Sequence, residues 1–294
     1  MNVPVQPLLS TSVDAPQWNA SLQIIARKTA RGTRLVQSEH IGPLYVQKPF
    51  YPEGPDCAHI YLLHPPGGMV SGDTLAINVT SSAGAGTLVT TPGAGRVYRA
   101  RPDRLLQKQL VNLTVEAGSS LEWMPLETIL FPSSRAQLET RVDLHGDARF
   151  IGWEITSLGL PANRQTLNHD GADTTLKQGL RIYKDGRLLL NERLNLHPDN
   201  MELLTARAGF KGQPVHGLMV AGPFSQPIDE DIMARLQALC DDTLAGVSLN
   251  GAFLTLRTLT DCSERARHLL TKAWAEIRPV LLDRPACPPR IWAT

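Results

Sequence analysis

The chain has 294 residues, of which 42% are hydrophobic and 19% are charged, a balance typical of a folded globular protein and not of a disordered one. Its 29 basic and 28 acidic residues leave a formal net charge of +1, which argues against a dedicated nucleic-acid binder and against a binder of anionic membranes. Its apolar runs are far shorter than the ~20 residues that span a bilayer, so no transmembrane segment is predicted.

From residue 21 to about residue 222 the dominant hydrophobic period is two, which is typical of half-buried β-strands. The Asp185-Gly186 pair between two alternating runs is the strongest hairpin signal in this region. No helical pattern separates the runs, so a βαβ parallel sheet is excluded on the usual criteria. The pattern therefore predicts a mainly β fold of many short strands in antiparallel sheets.

Two α-helices are predicted after the strands. The first begins near Gln226-Pro227, with proline in its first turn, and ends by Gly246. The second begins at Asp261, where Glu264 completes a capping box, and Pro279 is expected to end it. Apolar residues at helical spacing follow Asp261, so this helix should pack one face against the strands.

No linker or internal repeat divides the chain. We expect a flexible N-terminal leader over residues 1–16 and a single domain over 17–294, β-rich over 17–224 and helix-containing over 225–294. The leader lacks the charged and apolar regions of a secretory signal. The cysteines show no CxxC spacing, which favours free thiols in a reducing cytoplasm over a disulfide scaffold or structural zinc. They are Cys57, Cys240, Cys262 and Cys287.

The familiar enzyme motifs are absent: the sequence contains no P-loop, no GxSxG nucleophile elbow and no HExxH zinc motif. The segment from His64 to Asp73 combines two prolines with three glycines, which predicts a defined loop between two strands. His64 and Asp73 are its only candidate metal ligands. Cys57 and His59 would share one strand face and could hold a soft divalent metal, although an ordinary strand edge is the simpler interpretation.

Three glutamates fall at strand positions that are otherwise occupied by apolar side chains: Glu127, Glu154 and Glu192. Burying a lone carboxylate is costly, so each should be paired, hydrogen-bonded, protonated or exposed to a wet cavity. One interpretation is three separate pairings with arginine or backbone groups inside the core. The other is an internal polar passage whose oxygen ligands hold a divalent cation weakly enough to release it.

Five blocks of the sequence carry a family resemblance. They are LHPPGGMVSGD at 63–73, TTPGA at 90–94 with Tyr98-Arg99, EWMPLETILF at 122–131, GWE at 152–154 and RPVLLDRPACPPRIW at 278–292. In this order, over nearly the whole chain, they resemble urease accessory protein D, called UreD or, in some bacteria, UreH.

The resemblance implies a non-enzymatic maturation factor for the nickel enzyme urease. Members of the family bind the urease apoprotein and recruit UreF, which docks the nickel-carrying GTPase UreG, and Ni²⁺ then passes into urease. The implied fold is a β-helix-like stack of sheets with two C-terminal α-helices, and the implied metal is transient Ni²⁺, with no tightly bound cofactor. A proposed tunnel in the family suggests a hypothesis of our own: a nickel path through Asp73, Glu127, Glu154, Glu192 and His64.

Two functions of other classes stay open at this point. One is a β-rich hydrolase that uses a carboxylate pair among the same glutamates, which turnover of glycosides would reveal. The other is a purely structural adaptor that contacts its protein partners but never binds metal. Equilibrium dialysis against Ni²⁺ separates the adaptor from the nickel conduit.

Overall fold

The structure is a computed structural model that describes residues 17–293; the segment expected to form a flexible leader, residues 1–16, lies outside the described residues. Two α-helices are described, α1 (Glu230–Ala238) and α2 (Ser263–Leu282). In chain order the described strands are β1 (Asn19–Thr29), β2 (Gly32–Ile41), β3 (Tyr45–Val46), β4 (Cys57–Leu63), β5 (Thr74–Ser81), β6 (Gly86–Thr90), β7 (Gly95–Val97), β8 (Gln107–Val115), β9 (Ser120–Met124), β10 (Thr128–Leu130), β11 (Arg135–Leu144), β12 (Arg149–Leu160), β13 (Gln165–Thr166), β14 (Thr175–Lys184), β15 (Arg187–Leu196), β16 (Val215–Gly222), β17 (Leu244–Asn250) and β18 (Phe253–Thr260).

These strands form two large sheets. The seven-stranded sheet has the spatial order β15-β14-β11-β8-β5-β1-β2. The 11-stranded sheet follows the path β17-β18-β16-β12-β9-β6-β4-β3, with β7, β10 and β13 joined to it through β12. Strands β4, β6, β9 and β12 of one sheet alternate along the chain with β5, β8, β11 and β14 of the other. The chain therefore coils like a β-helix, and the mainly β class with two late α-helices is confirmed.

The direction of pairing differs from the antiparallel arrangement that the alternation indicated. The ladders β1-β5-β8-β11-β14 and β4-β6-β9-β12 are parallel throughout. Antiparallel pairs lie toward the sheet edges, as in β1-β2, β12-β16 and β16-β18. Alternation reports that a strand is half buried but carries no information on the direction of its neighbour. Coiling between two sheets joins parallel strands without the crossover helices that were assumed to be necessary.

The predicted hairpin at Asp185-Gly186 is confirmed between β14 and β15. Both residues have positive φ, 48° and 80°, which is what a two-residue turn matching the twist of its strands requires. This hairpin places the edge strand β15 beside β14 at one end of the seven-stranded sheet.

The 11-stranded sheet is the middle layer of three. On β12, Phe150 packs in the core shared with the seven-stranded sheet, whereas Ile151, Trp153 and Ile155 pack in the core shared with α1 and α2. The central strands of this sheet are thus buried on both faces, as parallel strands usually are. A polar side chain on either face must therefore find a partner or a cavity.

Helix α2 begins and ends differently from the prediction. Its N-cap is Cys262 instead of Asp261, and the Cys262 side chain makes no capping hydrogen bond. Pro279 lies inside the helix, which continues to Leu282, because proline removes one donor while the buried face of the last turn remains packed. Helix α1 is shorter than predicted and begins after Asp229, whose carboxylate accepts the backbone N–H of Asp231. Within the described part of the chain, neither helix is long and apolar enough to cross a membrane.

Candidate functional site

A cavity of about 520 Å³ lies between the two sheets, where β14 and β15 face β12, β16 and β18. We call it the inter-sheet cavity. It reaches the surface beside the exposed residues Arg193, Lys211 and Leu244. Much of its wall is apolar, but polar side chains from both sheets enter it: Glu154, Gln178, Glu192, His216 and Arg257.

Glu154 crosses the gap between the sheets. It lies on the face of β12 that also carries Phe150, and its Oε1 accepts a hydrogen bond from Thr140 Oγ1 on β11 at 2.7 Å. Its Oε2 accepts from Gln178 Nε2 on β14 at 2.9 Å. Burial raises the pKa of the Glu154 carboxyl, and these two hydrogen bonds offset only part of that effect. The side chain is therefore a carboxyl whose charge is easily lost or neutralised by a cation.

His216 on β16 lines the same cavity. It lies two residues before Leu218 on β16, and its ring meets the Phe210 ring edge to face at a centroid distance of 5.7 Å. Burial lowers the pKa of His216 to about 4, so the imidazole is neutral at pH 7, the form that binds metals. Its Nε2 atom is buried and has no hydrogen-bond partner among the described residues.

Glu192 stands at the more exposed side of the cavity. Its Oε1 accepts a hydrogen bond from Arg257 Nη2 on β18 at 2.7 Å, so this pair also joins the two sheets. The side chains are 28% and 50% exposed, and ion pairs of this kind are weak. A divalent cation entering the cavity can therefore compete with Arg257 for the carboxylate.

The arrangement combines one carboxyl of raised pKa, one neutral imidazole and one weakly paired carboxylate in a cavity whose wall is mostly apolar. Oxygen and imidazole nitrogen together suit first-row divalent cations, Ni²⁺ included. Only a few donors are present, and two of them already hold protein partners, which favours weak and reversible binding over a tight site.

Of the five predicted path residues, Glu154 and Glu192 line the inter-sheet cavity, and the other three lie outside its lining. Asp73 is buried just before β5, where its carboxylate accepts the backbone N–H groups of Trp18 and Val70 at 3.0 and 2.8 Å and so fixes the loop from His64 to Asp73. His64 lines a separate cavity of about 240 Å³, and burial lowers its pKa. Glu127 is half-buried just before β10 and lies outside the lining of the inter-sheet cavity.

Sequence reasoning missed His216, Gln178 and Arg257. His216 interrupts an otherwise apolar strand, a signal that was present and not used. Gln178 and Arg257 also sit at inward positions of alternating strands, but their partners come from the other sheet, and no local pattern reveals which strands face each other.

Comparison with known proteins agrees with the resemblance. The model of the UreD urease accessory protein family matches residues 19–293. Urease accessory protein UreD of Marinomonas sp. (strain MWYL1) is 47% identical to this chain, with 98% of this chain and 95% of that protein covered. The UreD protein of Alcanivorax borkumensis is 41% identical, with coverages of 94% and 92%. That of Pseudomonas fluorescens is 39% identical over the full length of both chains.

Proposed function

Since the chain belongs to the UreD urease accessory protein family, and so has a role in urease maturation, we propose that it binds the urease apoprotein and, with UreF and the GTPase UreG, enables insertion of Ni²⁺ into urease. In this proposal the protein is not an enzyme, and nickel is its cargo and not its cofactor. The parts of the pathway that consume GTP belong to a partner, in keeping with the lack of a P-loop in this sequence.

The inter-sheet cavity is the proposed place where the protein contacts nickel. The observation that carries this is the meeting of Glu154 and His216 in one buried space, with Nε2 of His216 unpartnered among the described residues. A buried polar atom without a partner is costly, and a passing cation would satisfy it. Displacement of Arg257 from Glu192 would supply compensating negative charge.

Weak binding is what a transfer protein needs. A cation held by a closed tetrahedral or octahedral ligand set would not leave on the time scale of urease assembly. The cavity offers three donors on a wall that is mostly apolar, and so limits both the affinity and the access of competing water.

The first experiment replaces the two cavity carboxylates together, with Glu154→Gln and Glu192→Gln, in a reconstituted system of urease, UreF and UreG. Nickel content of urease is expected to fall several-fold, while co-purification with UreF and urease is retained. Glu127→Gln is the matched control, because this half-buried glutamate lies outside the cavity lining. Normal nickel loading of urease with the double variant would contradict a nickel path through the cavity and would favour a purely structural adaptor.

The second experiment obstructs the cavity without removing a ligand. Gly246 lines it, and a Cβ atom built on this glycine meets nothing within 4 Å. Gly246→Trp should therefore place an indole at the mouth and reduce nickel transfer, whereas Gly246→Ala should not. If both variants load urease equally well, nickel does not travel this way. Turnover of glycosides by the purified protein would instead favour the hydrolase.

A further inference from the structure

Strand β17 ends the 11-stranded sheet and has an uncovered edge. Among the described strands it pairs with β18 alone, in a regular register that runs from Leu244 opposite Leu259 to Asn250 opposite Phe253. Every second residue of an edge strand directs its backbone N–H and C=O groups away from the sheet. The outer side of β17 therefore presents a row of backbone donors and acceptors that a further strand can pair with.

The other three strands that end the sheets are protected against such pairing. Strand β2 carries Arg34 and Glu39, and its pairing with β1 contains a register shift. Strand β15 carries Arg187, Glu192 and Arg193, and its pairing with β14 also contains a shift, while β3 has only two residues. Charges, irregular pairing and short length are the usual means by which proteins keep sheet edges free. Strand β17, with the sequence LAGVSLN, has neither a charged residue nor a proline.

Exposed leucines flank this edge on both faces of the sheet. Ala245 and Val247 pack toward the core shared with α1 and α2, and Leu249 has the same parity but is 49% exposed. Leu244 is exposed on the other face, beside the inter-sheet cavity. Apolar side chains on an added strand would contact these leucines across the ladder, whereas a charged side chain there would lose hydration without finding a partner.

The position of β17 indicates what kind of molecule covers it. Leu244 and Gly246 line the inter-sheet cavity, so the open edge borders the mouth of the proposed nickel path. Nickel that passes between two proteins without entering bulk water requires the second protein to sit at this mouth. A second copy of the chain, paired through its own β17, would bring two such mouths together and would neither deliver nor accept the metal.

We propose that β17 is a docking edge to which a partner protein adds an extended, uncharged and mainly apolar strand, so that the partner is held at the mouth of the inter-sheet cavity. Strand addition takes its affinity from main-chain hydrogen bonds and its specificity from alternate side chains. The inference rests on the proposed function, because the partner is taken to be a protein with which this chain exchanges nickel.

Hydrogen–deuterium exchange of the wild-type, full-length protein tests the proposal. Peptides that cover residues 244–250 should exchange more slowly in a complex with UreF or with the urease apoprotein than in the protein alone. Unchanged exchange in both complexes overturns the strand addition and leaves the proposed function standing. If neither complex forms, the proposed function fails and this inference fails with it.

The isolated protein distinguishes the other occupants of the edge. Slow exchange of residues 244–250 in dilute protein alone would show that the chain covers its own edge. Slow exchange that appears only at high protein concentration, together with a doubled mass in light scattering, would show that a second copy covers it. Either result overturns the proposal.

Substitutions at Leu249 test whether the contact is a strand addition. Leu249→Lys should weaken binding of the protecting partner about tenfold or more, because an added strand would enclose an unpaired ammonium. Leu249→Thr leaves the edge uncharged and should bind nearly as tightly as the wild type. Val36→Lys is the matched control, because Val36 is 46% exposed on the edge strand β2.

Surface plasmon resonance with the immobilised partner measures these affinities. Unchanged affinity of Leu249→Lys overturns the proposal. An equal loss with Leu249→Thr also overturns it, because the contact would then be made by the leucine side chain and not by the strand. Leu249 and Val36 lie outside the lining of the inter-sheet cavity, so a loss of docking is separable from damage to the nickel path.

Discussion

The indole Nε1–H of Trp274 on α2 donates a hydrogen bond to Oε2 of Glu122 on β9 at 2.7 Å, and both side chains are buried. The same carboxylate accepts from Arg278, one turn further along the helix, whose guanidinium also reaches Glu53. Burial alone would lower the pKa of Arg278, but its hydrogen bonds and charge attraction to Glu53 and Glu122 raise it instead. Helix α2 is thus fixed to the centre of the sheet by a buried ionic network.

Arg278→Met should destabilise the protein by about 3–5 kcal/mol, because it leaves Glu53 and Glu122 without their guanidinium. Urea unfolding at neutral pH measures the change. The loss should shrink at acid pH, where the orphaned carboxylates can take up protons. Arg235→Met is the control, since Arg235 pairs with Glu276 on the surface and its loss should barely alter stability. Equal effects of the two substitutions would contradict the proposed difference between buried and exposed pairs.

Glu154→Gln should change the pH dependence of stability. Burial raises the pKa of Glu154 above its ordinary value of 4.5, so the folded state holds the proton more tightly than the unfolded state. The resulting stabilisation is complete below the unfolded pKa and is lost as the pH rises through the folded pKa. The wild-type protein should therefore lose stability relative to Glu154→Gln as the pH rises above the ordinary carboxyl pKa of 4.5, which a series of urea titrations at different pH values measures. A stability difference that stays constant over this range would show that the Glu154 carboxyl ionises freely.

The Glu192–Arg257 pair should contribute little to stability. Its side chains are 28% and 50% exposed, and ion pairs with such exposure typically contribute less than about 1 kcal/mol. A double-mutant cycle with Glu192→Gln and Arg257→Gln measures the coupling energy. A coupling of several kcal/mol would mean that the pair fixes the two sheets together and would weaken its use as a displaceable nickel ligand.

The sequence identified the faces of the strands better than it identified their neighbours. Alternation on β12 placed Glu154 on a core-facing position, which the structure confirms. The same signal could not show that Thr140 and Gln178 would face it, because these contacts depend on how the chain coils between two sheets. Pairing direction was mistaken for the same reason, since alternation is identical in parallel and antiparallel strands.

The sequence predicted the shape of a loop correctly where the backbone preferences of single residues determine that shape. The Asp185-Gly186 turn follows from the positive φ that both residues adopt. At the His64–Asp73 loop the proline and glycine content did indicate a fixed shape, but Asp73 serves that shape by accepting backbone N–H groups. The sequence could not distinguish an aspartate that fixes a loop from an aspartate that binds a metal, because both interpretations require only a buried carboxylate.

Replacement of His216 by leucine should flatten the acid limb of the stability profile. Burial lowers the pKa of His216 from 6.5 to about 4, so protonation favours the unfolded state. The stabilisation from this depressed pKa is complete above pH 6.5 and is lost as the pH falls through about 4, a change of about 3 kcal/mol. The His216→Leu protein should lack this contribution, and the wild-type imidazole should titrate near pH 4 when followed by NMR. An imidazole that titrates near 6.5 would place His216 in contact with solvent and remove the neutral nitrogen ligand from the inter-sheet cavity.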